Sequence, residues 1–214
     1  MIVKVCGIKA LAEALAALEA GAGMLGFNFY PSSPRFIQQV ECARIVSGLR
    51  KLGKQAMFVG VFVNEGPGRV REIVDYCALD LAQLSGDEPP ASLAALDGCA
   101  FKAVRPASLS EAEDLLLAYA RTSPPALLVD AHVKGAYGGT GETSNWTIAR
   151  QMAARAPILL AGGLTPQNVG AAIRLVRPWG VDVASGVESS PGVKDPVKIQ
   201  AFMAAVRGEP ARSL

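Results

Sequence analysis

Leu127-Leu128-Val129-Asp130 reads as a short strand, apolar along its length, that ends in a carboxylate. A stretch with almost no apolar character follows, through Gly138-Gly139-Thr140-Gly141, and a helix starts near Asn145-Trp146. Beyond that helix comes a second apolar run, Ile158-Leu159-Leu160-Ala161, closed by Gly162-Gly163. Two short strands joined through a helix form a βαβ unit. Strands without polar alternation belong to a parallel sheet covered by helices.

The same unit recurs in both directions along the chain. Toward the amino terminus, strands are expected at 2–6, 24–29, 55–63, 81–84 and 100–104. Helices are expected at 10–19, 39–50, 69–76, 90–96 and 110–120. Leu11, Leu15 and Leu18 give the first helix an apolar stripe at three- and four-residue spacing. Ser110 and Glu113 read as a capping box for the fifth. Toward the carboxyl terminus, Thr165 before Pro166 marks the start of a helix running to about Val176. A strand at 181–184 and a helix at 196–206 complete the series. Eight strand–helix units in 214 residues predict a single (β/α)8 (TIM) barrel over 1–207, with 208–214 as a tail. An open doubly wound sheet is the alternative. It is weakened because no G-x-G-x-x-G follows the first strand.

Composition narrows the function. The chain is 50% hydrophobic and 19% charged, with a net charge of +2 and 6% aromatic residues. That supports one sizeable core, and it supplies neither the basic stripe nor the stacking aromatics of a nucleic-acid binder. No apolar run approaches the ~18–20 residues of a membrane span, and no signal peptide is apparent. Cys6, Cys42, Cys77 and Cys99 are scattered, without metal-ligand spacing. The expectation is a soluble cytoplasmic protein with reduced thiols and no metal.

In such a barrel the chemistry lies at the carboxyl ends of the strands. Cys6 ends the first strand and Asp130 the sixth. Arg35 follows the second, and Asp87 and Glu88 follow the fourth. A thiolate and a carboxylic acid at one mouth are a base and an acid able to move protons on a small molecule. Cys6 read alone is equally well a small buried hydrophobe. Asp130 could instead cap its loop. Gly162-Gly163 and Ser185-Gly186 would expose backbone N–H groups beside helix starts and so suit a phosphate after strands seven and eight, or they merely make tight turns. Arg35 would suit a second anion, or it is a solvated loop arginine. The lone histidine, His132, reads as an exposed loop residue, and Trp146 and Trp179 as packing residues.

Taken together, these motifs resemble the phosphoribosylanthranilate isomerase family of tryptophan biosynthesis. The resemblance runs through Lys4-Val5-Cys6-Gly7-Ile8, Gly26-Phe27-Asn28-Phe29-Tyr30 with Ser33-Pro34-Arg35-Phe36, and Val59 to Asn64. It continues through Gln83 to Glu88, Gly138-Gly139-Thr140-Gly141, Ala161 to Leu164, and Asp182 to Glu188 with Pro191 to Asp195. It implies a cofactor-free Amadori rearrangement of N-(5-phosphoribosyl)anthranilate to 1-(2-carboxyphenylamino)-1-deoxyribulose 5-phosphate. Asp130 would be the general acid and Cys6 the general base. Substrate contacts would come from Arg35, Gly139, Gly162, Gly163, Ser185 and Gly186. The implied partner is this small phosphorylated molecule, with no nucleic acid or membrane, in a monomer or homodimer. Two departures stand out. Ser85 replaces the family's usual histidine, and Ser144-Asn145-Trp146 replaces Phe-Asp-Trp. A barrel that binds a phosphosugar without catalysis is the alternative reading.

Overall fold

The computed structural model describes residues 1–131 and 142–208. Eight parallel strands close into a barrel in sequence order. They are β1 (Ile2–Cys6), β2 (Met24–Asn28), β3 (Met57–Phe62), β4 (Leu81–Leu84), β5 (Ala100–Val104), β6 (Leu127–Asp130), β7 (Ile158–Ala161) and β8 (Gly180–Val183). The ring shuts where β1 pairs with β8, with Lys4 opposite Asp182. The helices are α1 (Leu11–Ala20), α2 (Gln39–Lys51), α3 (Pro67–Tyr76), α4 (Pro90–Ala94), α5 (Leu109–Tyr119), α6 (Glu142–Arg155), α7 (Val169–Val176) and α8 (Pro196–Arg207). The expected (β/α)8 barrel is therefore the observed fold. The glycine-rich loop with His132 and Gly139, and 209–214 of the expected tail, lie outside the described residues.

Two apolar layers hold the barrel. Met24, Val59, Leu81, Phe101, Leu128 and Leu159 fill its interior, with Trp179 packed against them. The alternate strand residues, such as Val3, Val5, Val181 and Val183, face the helices in the larger outer layer. Period-two alternation makes both layers from the same strands. Trp146 packs on the outer layer. On α1 the fully buried positions are Ala14 and Ala17, while Leu11 is exposed. The expected leucine stripe thus flanks the contact. Methyl side chains let this helix sit close to the barrel wall.

Five helix starts differ from expectation: α1 by one residue, α3 by two, and also α5, α6 and α7. Ser108, not Ser110, caps α5: its hydroxyl accepts from Glu111 N at 3.1 Å, and Glu111 accepts from Ala107 N at 2.7 Å. Two S-x-x-E frames overlap here. The earlier one prevails in a helix that buries Ala112 and Leu116. Ser108→Ala should cost about 1 kcal/mol in urea unfolding, and Ser110→Ala much less. At α7, Thr165-Pro166-Gln167 forms a turn, and the helix begins after Asn168. The Asn168 side chain accepts from Thr165 N at 2.8 Å and donates to Gly163 O at 2.9 Å. Finally, Asn145 lies inside α6 and not at its start.

One element was absent from the expectation. After β8 the chain makes a 3-10 turn (Ser185–Val187) and an antiparallel hairpin of β9 (Glu188–Ser190) and β10 (Val193–Lys194). Three-residue and two-residue strands are too short to show a period in the sequence.

Candidate active site

The inward faces of the strands carry the reactive groups to one mouth. On β1, Lys4 and Cys6 follow Ile2 on the interior side, and on β8 the interior residue is Asp182. On β6, Asp130 lies two residues beyond Leu128 of the interior layer, paired in register with Ala161. Cys6 and Asp130 are thus both at carboxyl ends of strands on the same side of the wall. Asp130 accepts from Arg105 Nε at 3.0 Å, and its side chain is about one-quarter exposed. Arg105 is largely exposed, so this pair contributes under about 1 kcal/mol.

Cys6 is buried against Gly26 of β2. A Cβ at Gly26 would stand 2.8 Å from Cys6 Sγ and 3.1 Å from Lys4 Nζ. The missing side chain is what makes room for both. Lys4 is fully buried and donates to Asp182 at 2.7 Å. Burial pushes the Cys6 thiol above its usual range. The Lys4 ammonium draws it back, Asp182 opposes that, and Lys194 assists. Burial also works against the charge of Lys4, but Asp182 and Cys6 more than offset it.

Arg35 arches over Gly7, with its Cδ 2.6 Å from where a Cβ would be. Gly7 also has φ +84°, so this position needs glycine twice over. Arg35 is not a free loop arginine. Its Nε and Nη2 both meet the Glu188 carboxylate at 2.7 Å. Lys194 Nζ reaches the same carboxylate at 2.6 Å, and Gly192 N at 3.2 Å. Burial opposes the Glu188 charge, yet the Arg35 and Lys194 bonds hold its carboxyl below the usual range. The unforeseen hairpin thus has a purpose: it carries Glu188 and Lys194 to the arginine.

The two glycine corners meet. Gly162 and Gly163 both have positive φ, at +99° and +63°. A Cβ on Gly186 would run into the Leu164 carbonyl oxygen, so the loops after β7 and β8 touch backbone to backbone. Gly186→Ala should destabilise the fold by about 1–3 kcal/mol. Urea unfolding of the two chains checks this.

Of the other candidates, Asp87 is exposed and Glu88 is buried. Glu88 accepts from Asn64 N at 2.8 Å and Gly86 N at 3.0 Å, and pairs with Lys102 at 3.2 Å. It ties the loops after β3 and β4 to β5 on the outer side of the wall. Cys42 and Cys77 are buried, and Cys99 is exposed. Sequence reasoning missed Lys4, Gln83 and Asp182. Gln83 lies in the interior two residues after Leu81, and its Nε2 donates to Ser85 at 3.0 Å. Its carbonyl oxygen is buried without a partner among the described residues, and a guest that donates there would satisfy it. Ser85 therefore occupies the usual histidine position as an anchor for Gln83.

A closed barrel with its polar groups gathered at the carboxyl ends of the strands defines a (β/α)8 enzyme. The comparisons with known proteins specify which. The family described as N-(5'-phosphoribosyl)anthranilate (PRA) isomerase matches residues 3–205, and the chain belongs to that family. It is 48% identical to the N-(5'-phosphoribosyl)anthranilate isomerase of Roseiflexus sp. strain RS-1, over 96% of this chain and 97% of that one. Phosphoribosyl anthranilate isomerase from Thermotoga maritima superposes with a TM-score of 0.85 at 38% identity, covering 97% of this chain and all of that one. A structure of the enzyme with reduced 1-(o-carboxyphenylamino)-1-deoxyribulose 5-phosphate superposes at 0.82, with 35% identity over 97% of this chain and all of that one.

Proposed function

We propose that this chain isomerises N-(5'-phosphoribosyl)anthranilate to 1-(2-carboxyphenylamino)-1-deoxyribulose 5-phosphate, an aldose–ketose interconversion in cytoplasmic tryptophan synthesis. The reaction is an intramolecular redox exchange: C1′ is reduced as C2′ is oxidised. It needs one proton delivered and one removed. The Asp130 carboxyl gives its proton to the ribose ring oxygen, the C1′–O bond breaks, and a Schiff base forms with the anthranilate nitrogen. The Cys6 thiolate then takes the proton from C2′. The electron pair of that C–H bond forms the enolamine, which tautomerises to the ketone. Proton return from Cys6 and to Asp130 resets the pair.

The observation that carries this reading is the placement of Cys6 and Asp130 on interior positions at the carboxyl ends of β1 and β6. The touching corners at Gly162-Gly163 and Ser185-Gly186 suit the substrate phosphate, and Gly139 is assigned to substrate contact from the family motif. Glu188 already engages one edge of Arg35. The substrate carboxylate therefore meets the remaining guanidinium nitrogen or its face. The test is turnover followed by anthranilate fluorescence, which changes as the substrate rearranges. A purified chain that binds the phosphorylated substrate without any fluorescence change would point to the non-catalytic barrel instead.

A further inference from the structure

Lys4 is the largest fully buried charged side chain on the interior wall, and no step of the rearrangement uses it. It sits one pleat below Cys6 on the same face of β1. Both atoms crowd the spot over Gly26 where a side chain would be. Its ammonium is held from the opposite direction by Asp182, 178 residues away in the chain. A buried ion pair is costly to desolvate and could be replaced by apolar residues at little expense to stability. Placing one directly under a thiol calls for a role beyond stability.

We propose that Lys4 is a positioning residue for Cys6: its ammonium, fixed by Asp182, supports the thiolate that faces the substrate. The inference rests on the reading of Cys6 as the base, and it concerns what allows an interior thiol to be one. The other charges facing Cys6 are Asp182 from β8, Lys194 from β10, and Arg35 from the loop after β2. Asp182 disfavours the thiolate. Lys194 and Arg35 share Glu188, which neutralises much of their effect. Lys4 is the cation that shares its strand and lies beside its sulfur. It thereby counters the desolvation that would otherwise keep the thiol protonated.

The test is alkylation of Cys6 by iodoacetamide from pH 6 to 10, without substrate, read on the Cys6 peptide by mass spectrometry. In Lys4→Met the midpoint of the pH profile should rise by about one unit or more. At neutral pH that is about a tenfold loss of thiolate. Below the midpoint every rate should fall by the same factor, because access is the same. The paired variant Lys4→Met/Asp182→Leu removes both charges and keeps the site packed, should the single variant fold poorly. Its profile should move upward by less, because Asp182, which disfavours the thiolate, is lost as well. A midpoint equal to wild type in the folded variants would overturn the role of Lys4. Because no substrate is present, this outcome is separate from the isomerase reading, which the turnover of Cys6→Ala decides.

Discussion

Cys6→Ala and Asp130→Asn should each lower kcat by about a hundredfold to ten-thousandfold, with little change in affinity for a product analogue. Each removes one of two proton transfers and leaves the phosphate and carboxylate contacts in place. Asp130→Asn keeps the shape and hydrogen-bonding capacity of the side chain but cannot donate a carboxyl proton. Among its partners, Arg105 is largely exposed, so that cation stays solvated when the carboxylate is lost. Cys6→Ala removes one buried sulfur and leaves Lys4 with Asp182. The double variant should be little worse than the poorer single one, because groups that act in one sequence are not additive. Steady-state fluorescence assays on folded variants, with melting temperatures beside them, check this. Near wild-type rates in either single variant would contradict the assigned roles.

Glu188→Gln should have the largest effect on stability. The carboxylate is almost wholly buried and meets Arg35 twice, Lys194 once and Gly192 N. Removing its charge leaves the buried Lys194 and half-buried Arg35 without an anion. Loss of one partner from a buried pair costs about 3–5 kcal/mol. Arg35 also loses the fork that fixes its plane, so KM should rise more than kcat falls. The pH sign follows from the same contacts. Arg35 and Lys194 hold the folded carboxyl low. Its stabilisation is therefore complete above the unfolded value of about 4.3 and drains away as pH falls below it. Chemical denaturation at pH 7 and at pH 3 should show a smaller difference between pH values in Glu188→Gln than in wild type.

How far the sequence could be read depended on what each element needs from far away. β1, β4, β5, β6 and β7 match their expected limits residue for residue. Each is a short apolar run with a sharp polar or glycine boundary, which is a local signal. The start of α5 was displaced because two S-x-x-E frames overlap, and that of α7 because Thr165 caps only a turn before Asn168. Cys6 and Asp130 were legible because each ends a strand. Lys4 and Asp182 were not. A charge at an interior position has meaning only once its partner is known, and that partner lies at the other end of the chain. Arg35 was visible as an arginine in a turn, while its capture by Glu188 depended on a hairpin too short to leave a pattern.

The central claim is that one thiol and one carboxyl work on opposite sides of a single sugar. It is tested most directly by a crystal structure of this chain with reduced 1-(o-carboxyphenylamino)-1-deoxyribulose 5-phosphate. The account predicts Cys6 Sγ facing C2′ and the Asp130 carboxyl at the former ring oxygen, each within about 3–3.5 Å. The phosphate should lie on the amides at Gly163 and Ser185-Gly186. A bound analogue whose sugar leaves either group pointing elsewhere, or whose phosphate lies away from those two corners, would contradict it.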